Sequence, residues 1–247
     1  LLFNRFQKRL LPTPEADALY EESKNVINRI QSFNNIAKNL LDVSSEYINI
    51  GCTPSLGLTF LPKLIKKYQT KDKSSKFNIT NLQSQDLEDQ LEELLFDCVI
   101  SFNQKESERF EKHVLRKGSL VLIGPENDDN KFSPNVSLKE LTSLPMIRIK
   151  NLKTNSTQNS LDDQLKKSGI DINWIMQTET IQVAKAMVNH GLGYAIIDDY
   201  SAALFFESEK KYKLVPNMKY EFGLMINHEK PLSHHAKAFI DFVKSQN

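Results

Sequence analysis

No stretch of this chain approaches the ~18 consecutive apolar residues that a membrane-spanning helix needs. Its basic, apolar beginning also lacks the hydrophobic core and small-residue cleavage site of a secretion signal, so a cytosolic protein is the expectation. Cysteine is scarce: Cys52 and Cys98 are the two present, both in or beside apolar runs. Two buried free thiols are therefore expected rather than a disulfide or a metal pair. Eight glycines and nine prolines in 247 residues are too few for a fibre or a disordered chain. An excess of one charge is missing as well, with 32 basic residues against 31 acidic ones. The main body therefore lacks the concentrated basic surface that displaces counterions from nucleic acid, and any DNA contact has to be local.

Enzymatic signatures are absent too. The sequence contains no Gly-x-Ser-x-Gly elbow, phosphate loop, His-Glu-x-x-His or Cys-x-x-Cys. His234 and His235 are adjacent on a helix and point apart, which is the wrong spacing for a shared metal. "GLG" at 191–193 lacks a third glycine and follows a helix, so it does not read as a nucleotide-binding turn. No catalytic residue, metal or cofactor is expected.

What is present is an ordinary globular composition, 40% hydrophobic and 26% charged, in a chain long enough for one large core or two medium ones. It opens with "LLFNRFQKRLLPTPEADALY", whose first thirteen residues carry Arg5, Lys8 and Arg9 and no acid. Thr13 then suits a helix cap, with Pro14 at the first position and Glu15 in the first turn. The helix runs without Gly or Pro to about Leu41. Leu19, Val26, Phe33 and Leu40 recur every seven residues, with Ile30 and Ala37 forming a second row. Such a seam wants a partner helix; the alternative is an amphipathic helix packed on its own domain.

Beyond "DVSSEY" the pattern becomes α/β. "YINIGC" reads as a buried strand, "TPSLGLTFLPKLIKKY" as a helix, "FNITNL" as a strand, "DLEDQLEELL" as a helix and "DCVISF" as a strand, which together mean right-handed crossovers and a parallel sheet. After a link through "HVLRKGSLVLIGP" comes a second α/β region, with "NSLDDQLKKSGI", "INWIMQT", "TIQVAKAMVNHG" and "YAIID". "EFGLMIN" and "PLSHHAKAFIDFVKSQN" add a last strand and helix. Two such lobes leave a cleft at the carboxyl ends of their strands, where ligands settle. In "VNHGLGYAII", Gly191 suits the left-handed stop of a helix and Gly193 a turn into a buried strand.

The turn "GCTPSLGL" points two hydroxyls, Thr53 and Ser55, and free backbone N–H groups toward the cleft, a place for a carboxylate or another small anion; Leu56 follows on the same turn. The polar step "QSQD" offers Gln83 or Ser84 at the rim. Thr178, Glu179 and Thr180 begin another helix. At each of these starts the plainer role is capping.

In that order, "RLLPTPEADALYEE", the long helix, "INIGCTPSLGLTFLP", "DCVIS" and "VNHGLGYAII" resemble a LysR-type transcriptional regulator from its DNA-binding wing to its carboxyl end. The resemblance implies two Rossmann-like lobes of periplasmic-binding-protein type II architecture after a linker helix. It divides the chain into a wing remnant at 1–13, a linker and dimerisation helix at 14–44, lobe I at 45–118 plus 216–247, and lobe II at 119–215. By family position Ser101 and Phe102 fall on the cleft floor, and Ser156 and Thr157 on the opposite wall beside Thr180. Arg5, Lys8 and Arg9 become DNA-backbone contacts, and Leu19, Val26, Ile30, Phe33 and Leu40 the dimer seam. The expected partners are a small anionic effector such as an amino acid or organic acid, a second copy in a dimer or tetramer, and DNA through a winged helix-turn-helix preceding the wing. The family often has glycine before the Asp of the third strand, whereas this chain has Leu95 and Phe96, so that loop should be recast. Two other readings stay open: a transporter's solute-binding protein, and an effector-blind fragment that oligomerises through the seam.

Overall fold

A computed structural model of the chain describes residues 2–6, 9–41, 47–102, 107–126, 132–149, 157–203 and 210–246. Strands β1 (Phe3–Phe6) and β2 (Arg9–Pro12) form an antiparallel hairpin. Thr13 closes it, donating its N–H to the Leu2 carbonyl at 3.0 Å. Its hydroxyl then accepts from the Ala16 N–H at 3.3 Å and so starts α1 (Pro14–Leu41). Leu19, Val26, Ile30 and Phe33 are all more than half exposed along α1. These four side chains leave an apolar stripe open along the helix.

The first α/β unit contains β3 (Tyr47–Cys52), α2 (Pro54–Thr59), α3 (Leu61–Gln69), β4 (Lys76–Asn81), α4 (Ser84–Glu92) and β5 (Cys98–Phe102). Strands β3, β4 and β5 are parallel, with β3 in the middle. The single helix read over 54–68 is in fact two. The chain bends at Phe60, and Pro62, which cannot donate a backbone hydrogen bond, sits in the first turn of α3. The bend seats Phe60 edge-on against Phe222, with ring centroids 5.0 Å apart. Leu94 turns α4 into β5 with a φ of 61°, and Phe96 packs into the small cluster around Leu87, Leu91, Val99 and Met225.

Strand β6 (Phe110–Gly124) is a 15-residue strand rather than a loose link. The second unit adds β7 (Asn135–Ser137), a 3₁₀ turn (Glu140–Ser143), β8 (Met146–Ile149), α5 (Thr157–Ser168), β9 (Trp174–Thr178), α6 (Ile181–Asn189), β10 (Tyr194–Asp198), α7 (Asp199–Ala202) and β11 (Lys210–Val215). The chain then returns through β12 (Lys219–Asn227) to α8 (His234–Lys244). Strands β10, β8 and β9 are parallel. Residues 110–119 of β6 pair antiparallel with β12, and Leu120–Ile123 pair with β10. One continuous strand thus belongs to both units, and the order β4-β3-β5-β12-β6-β10-β8-β9 runs unbroken. The ladder between β6 and β12 carries a bulge between Phe222 and Gly223.

Gly191 (φ 74°) stops α6 as its place in the sequence requires. Gly193 (φ 149°) is needed for space, because a Cβ there would lie 2.3 Å from the Pro145 carbonyl oxygen. Cys52 and Cys98 are both buried and free, and no described helix is long and apolar enough to cross a membrane.

Candidate functional site

The two units face each other across a cleft lined from the first by Thr53, Pro54, Ser55, Gln83, Ser84 and Phe102. The facing wall comes from the start of α6, Glu179 to Gln182, and from the end of β10, Ile196 to Asp198, with Leu120 and Ile149 between. Its volume is about 60 Å³. At roughly 10–15 Å³ for each water-sized space, that holds about four to six waters. One hydrogen bond crosses the rim, from the Gln83 side-chain amide to the Glu179 carbonyl at 3.4 Å.

Parallel β-α connections explain why this place is polar. Each strand delivers the chain to a helix start, where the first N–H groups have no partner in the helix. Helix α6 is capped by the Thr180 hydroxyl, which accepts from the Val183 N–H at 3.3 Å. Helix α4 has Gln83 at its cap without a side-chain bond, and its first residue, Ser84, accepts a hydrogen bond from the Ser101 hydroxyl at 2.9 Å. Thr53 has the extended backbone of a cap, yet its side chain makes no capping bond.

Three buried polar atoms on this lining have no hydrogen-bond partner: Thr53 Oγ1, Gln182 Nε2 and Asp198 Oδ2. Each such atom costs about 1–3 kcal/mol while it is unsatisfied, so their occurrence in three residues of one cleft is the feature that requires an explanation. Asp198 is 2% exposed. Its Oδ1 accepts from the Ser201 N–H at 2.7 Å and caps α7. Burial pushes its carboxyl up to about 6, opposed by that hydrogen bond. The neighbouring Asp199 turns away, toward the joint between the units. There it accepts from the Tyr220 hydroxyl at 2.6 Å and from the Ser119 N–H at 3.3 Å. Lys185, 1% exposed in α6, donates to the Ser201 carbonyl at 3.0 Å and so ties α6 to α7.

The structure brings five of the sequence-selected residues together on the cleft: Thr53, Ser55, Ser84, Phe102 and Thr180. Leu56 is not among them. It is fully buried in the main hydrophobic cluster, because the turn that presents Thr53 and Ser55 rotates the next side chain inward. Ser101 stands behind the lining and touches the cleft through Ser84. Ser156 and Lys8 lie outside the described residues, as do the side chains of Thr157, the first residue of α5, and of Leu40. Arg5 and Arg9 are exposed on the hairpin. Sequence reasoning passed over Gln182 and Asp198. Asp198 follows the buried run "YAII" and so sits at a strand's carboxyl end, which was the available signal. Among the described residues no cluster of His, Cys, Asp and Glu could hold a metal.

Residues 42–247 match the LysR substrate binding domain. The HTH-type transcriptional regulator DgcR of a Pseudoalteromonas species is 25% identical over 201 residues, covering 81% of this chain and 68% of that protein. The HTH-type transcriptional regulator AdmX of Serratia plymuthica is 22% identical over 242 residues, or 98% of this chain and 76% of its own. Among solved structures, full-length CbnR complexed with its target DNA has a TM-score of 0.73 at 14% identity, over 95% of this chain and 82% of that one. The effector binding domain of QuiR in complex with shikimate has a TM-score of 0.69 at 19% identity, over 81% of this chain and 95% of that one. These structures share the two-unit α/β fold described above. The chain belongs to the LysR family and carries the effector-binding domain of a LysR-type transcriptional regulator.

Proposed function

We propose that a small polar metabolite, an amino acid or organic acid, binds between lobe I (45–118 plus 216–247) and lobe II (119–215) and changes the angle between them. The observation that carries this reading is that three residues lining one cleft, Thr53, Gln182 and Asp198, each hold a buried polar atom without a hydrogen-bond partner. A ligand carboxylate suits the Gln182 amide, the Thr53 hydroxyl and the N–H groups at the start of the nine-residue α6. QuiR, whose ligand shikimate is a hydroxylated carboxylic acid, is consistent with that choice.

The ligand acts only through unequal affinity for two lobe arrangements. The exposed stripe Leu19, Val26, Ile30 and Phe33 on α1, continued in sequence by Leu40, is the surface proposed to pair with a second copy. The basic hairpin, through Arg5, Lys8 and Arg9, is proposed to touch DNA phosphates, and α1 to transmit the lobe angle to DNA-binding domains. A thermal-shift screen of amino acids and organic acids tests the cleft. At 100 times its dissociation constant a ligand stabilises the fold by about 2.7 kcal/mol. Thr53→Val and Gln182→Ala should each remove most of that shift. A ligand whose effect survives both substitutions binds elsewhere and refutes the reading.

A further inference from the structure

We propose that the effector is an α-amino acid whose ammonium group is held by the Asp198 carboxylate. This deepens, and rests on, the reading of the cleft as the effector site.

Two charged side chains line the cleft among the described residues. They are Glu179, which is exposed, and Asp198, which is buried; no Lys, Arg or His stands among the described lining residues. Lys185 is nearby in the fold, but its ammonium is spent on the Ser201 and Ala202 carbonyls at 3.0 and 3.4 Å. A plain organic anion would place its charge beside a buried carboxylate with no side-chain cation to offset it, an arrangement that raises the energy of both.

Asp198 also carries more than its structural task needs. Capping α7 uses one oxygen, Oδ1, as acceptor for the Ser201 N–H. Asparagine, serine or threonine caps a helix as well without a buried charge. What the carboxylate adds is the second oxygen, buried and unpartnered, in a residue that lines the cleft. The cap fixes the carboxylate's orientation, so Oδ2 is a preorganised acceptor. The group that answers such an acceptor, and also offsets its charge, is a cation with hydrogen-bond donors.

The remaining unpartnered atoms suit the other end of the same molecule. Gln182 Nε2 is a donor, and Thr53 Oγ1 can donate or accept. Together with the start of α6 they form an electropositive counterpart to Asp198, and an α-amino acid carries both charges on one carbon. The space of about 60 Å³ favours compact members of the class.

The test is isothermal titration of the chain at neutral pH with glycine and with both enantiomers of alanine, serine and glutamate. Their deaminated counterparts, glycolate, lactate, glycerate and 2-hydroxyglutarate, form the control series. Wild-type protein is compared with Asp198→Asn, which keeps the cap, and with Thr53→Val. An amino acid is expected to bind where its hydroxy acid does not, and Asp198→Asn should weaken it roughly tenfold to a hundredfold, the range for a lost charge-assisted hydrogen bond. A hydroxy acid that binds wild type and loses affinity in Thr53→Val would overturn the ammonium assignment and leave the cleft standing. An amino acid whose affinity neither substitution changes would overturn both, and so would silence across the two series.

Discussion

Replacing Asp198 by Asn should make the unliganded protein more stable, and by an amount that depends on pH. The folded chain holds this carboxyl at about 6, against 3.8 for its ordinary value. The folded state therefore binds the proton more tightly than the unfolded state does. The sign is unusual for a carboxylate: stability falls as pH rises through the window from about 4 to about 6, and the penalty is complete above it. The difference corresponds to about 3 kcal/mol. Asparagine retains an oxygen for the Ser201 N–H and carries no charge, so Asp198→Asn should gain about 3 kcal/mol at pH 8, or roughly 6–12 °C in Tm for a chain of this size. Below about pH 3, where folded and unfolded wild type are both neutral at this position, the gain should vanish. Urea unfolding followed through Trp174 at four or five pH values between these limits measures the curve. A difference that stays flat with pH, or a variant less stable than wild type at pH 8, would refute the reasoning. The combination of greater stability with weaker ligand binding would mark Asp198 as kept for its charge.

Other consequences can be checked alongside. Phe33→Asp, which places a carboxylate in the middle of the exposed stripe of α1, should shift the particle to a smaller species by light scattering and leave the cleft's ligand response intact. Lys230→Met breaks a buried pair with Asp97, 2.9 Å apart and 1% and 3% exposed at the side chains. An uncompensated buried carboxylate should lower stability by about 3–5 kcal/mol in chemical denaturation. Gly118→Ala puts a Cβ 2.5 Å from Asp199 Oδ1 and 2.6 Å from the Tyr220 ring, so it should lose about 1–3 kcal/mol, read as a lower Tm. Burial raises the Cys52 thiol to about 12 and lifts Cys98 as well. Neither should react with a thiol reagent in the native protein, and both should react at once in urea.

The sequence disclosed elements whose pattern is strong and local. Buried runs such as "YINIGC" and "YAIID" and the cap at Thr13 lie where periodicity and helix-start chemistry put them. Strand β6 was harder to see, since its charged and apolar residues come in blocks without a two-residue period and Gly118 lies in its middle. It becomes a strand by pairing with β12, whose residues lie about a hundred positions later. The break between α2 and α3 was marked by Pro62 and was missed because Phe60 and Leu64 keep helical spacing across it. Hydroxyls at helix starts pointed to Thr53, Ser84 and Thr180. Leu56 showed the limit of the same rule: a neighbour along the chain can face the opposite way. Asp198 and Gln182 are singled out by what they lack, a partner for one buried atom each, and that emerges only from the packed structure.

The continuity of β6 bears on how the two units are connected. The strand leaves β12 at Ser119 and joins β10 at Leu120, so one uninterrupted backbone passes from the first unit to the second. The returning chain lies beside it there, with the Met218 carbonyl accepting from the Leu120 N–H at 2.7 Å. The bulge between Phe222 and Gly223 lies within the first unit, with paired residues on both sides of it. Any change of angle between the units therefore falls on the backbone torsions of the few residues around Ser119 and Met218. Two hydrogen-bonded strands crossing side by side act as a double strap, which resists separation of the units more than it resists twist.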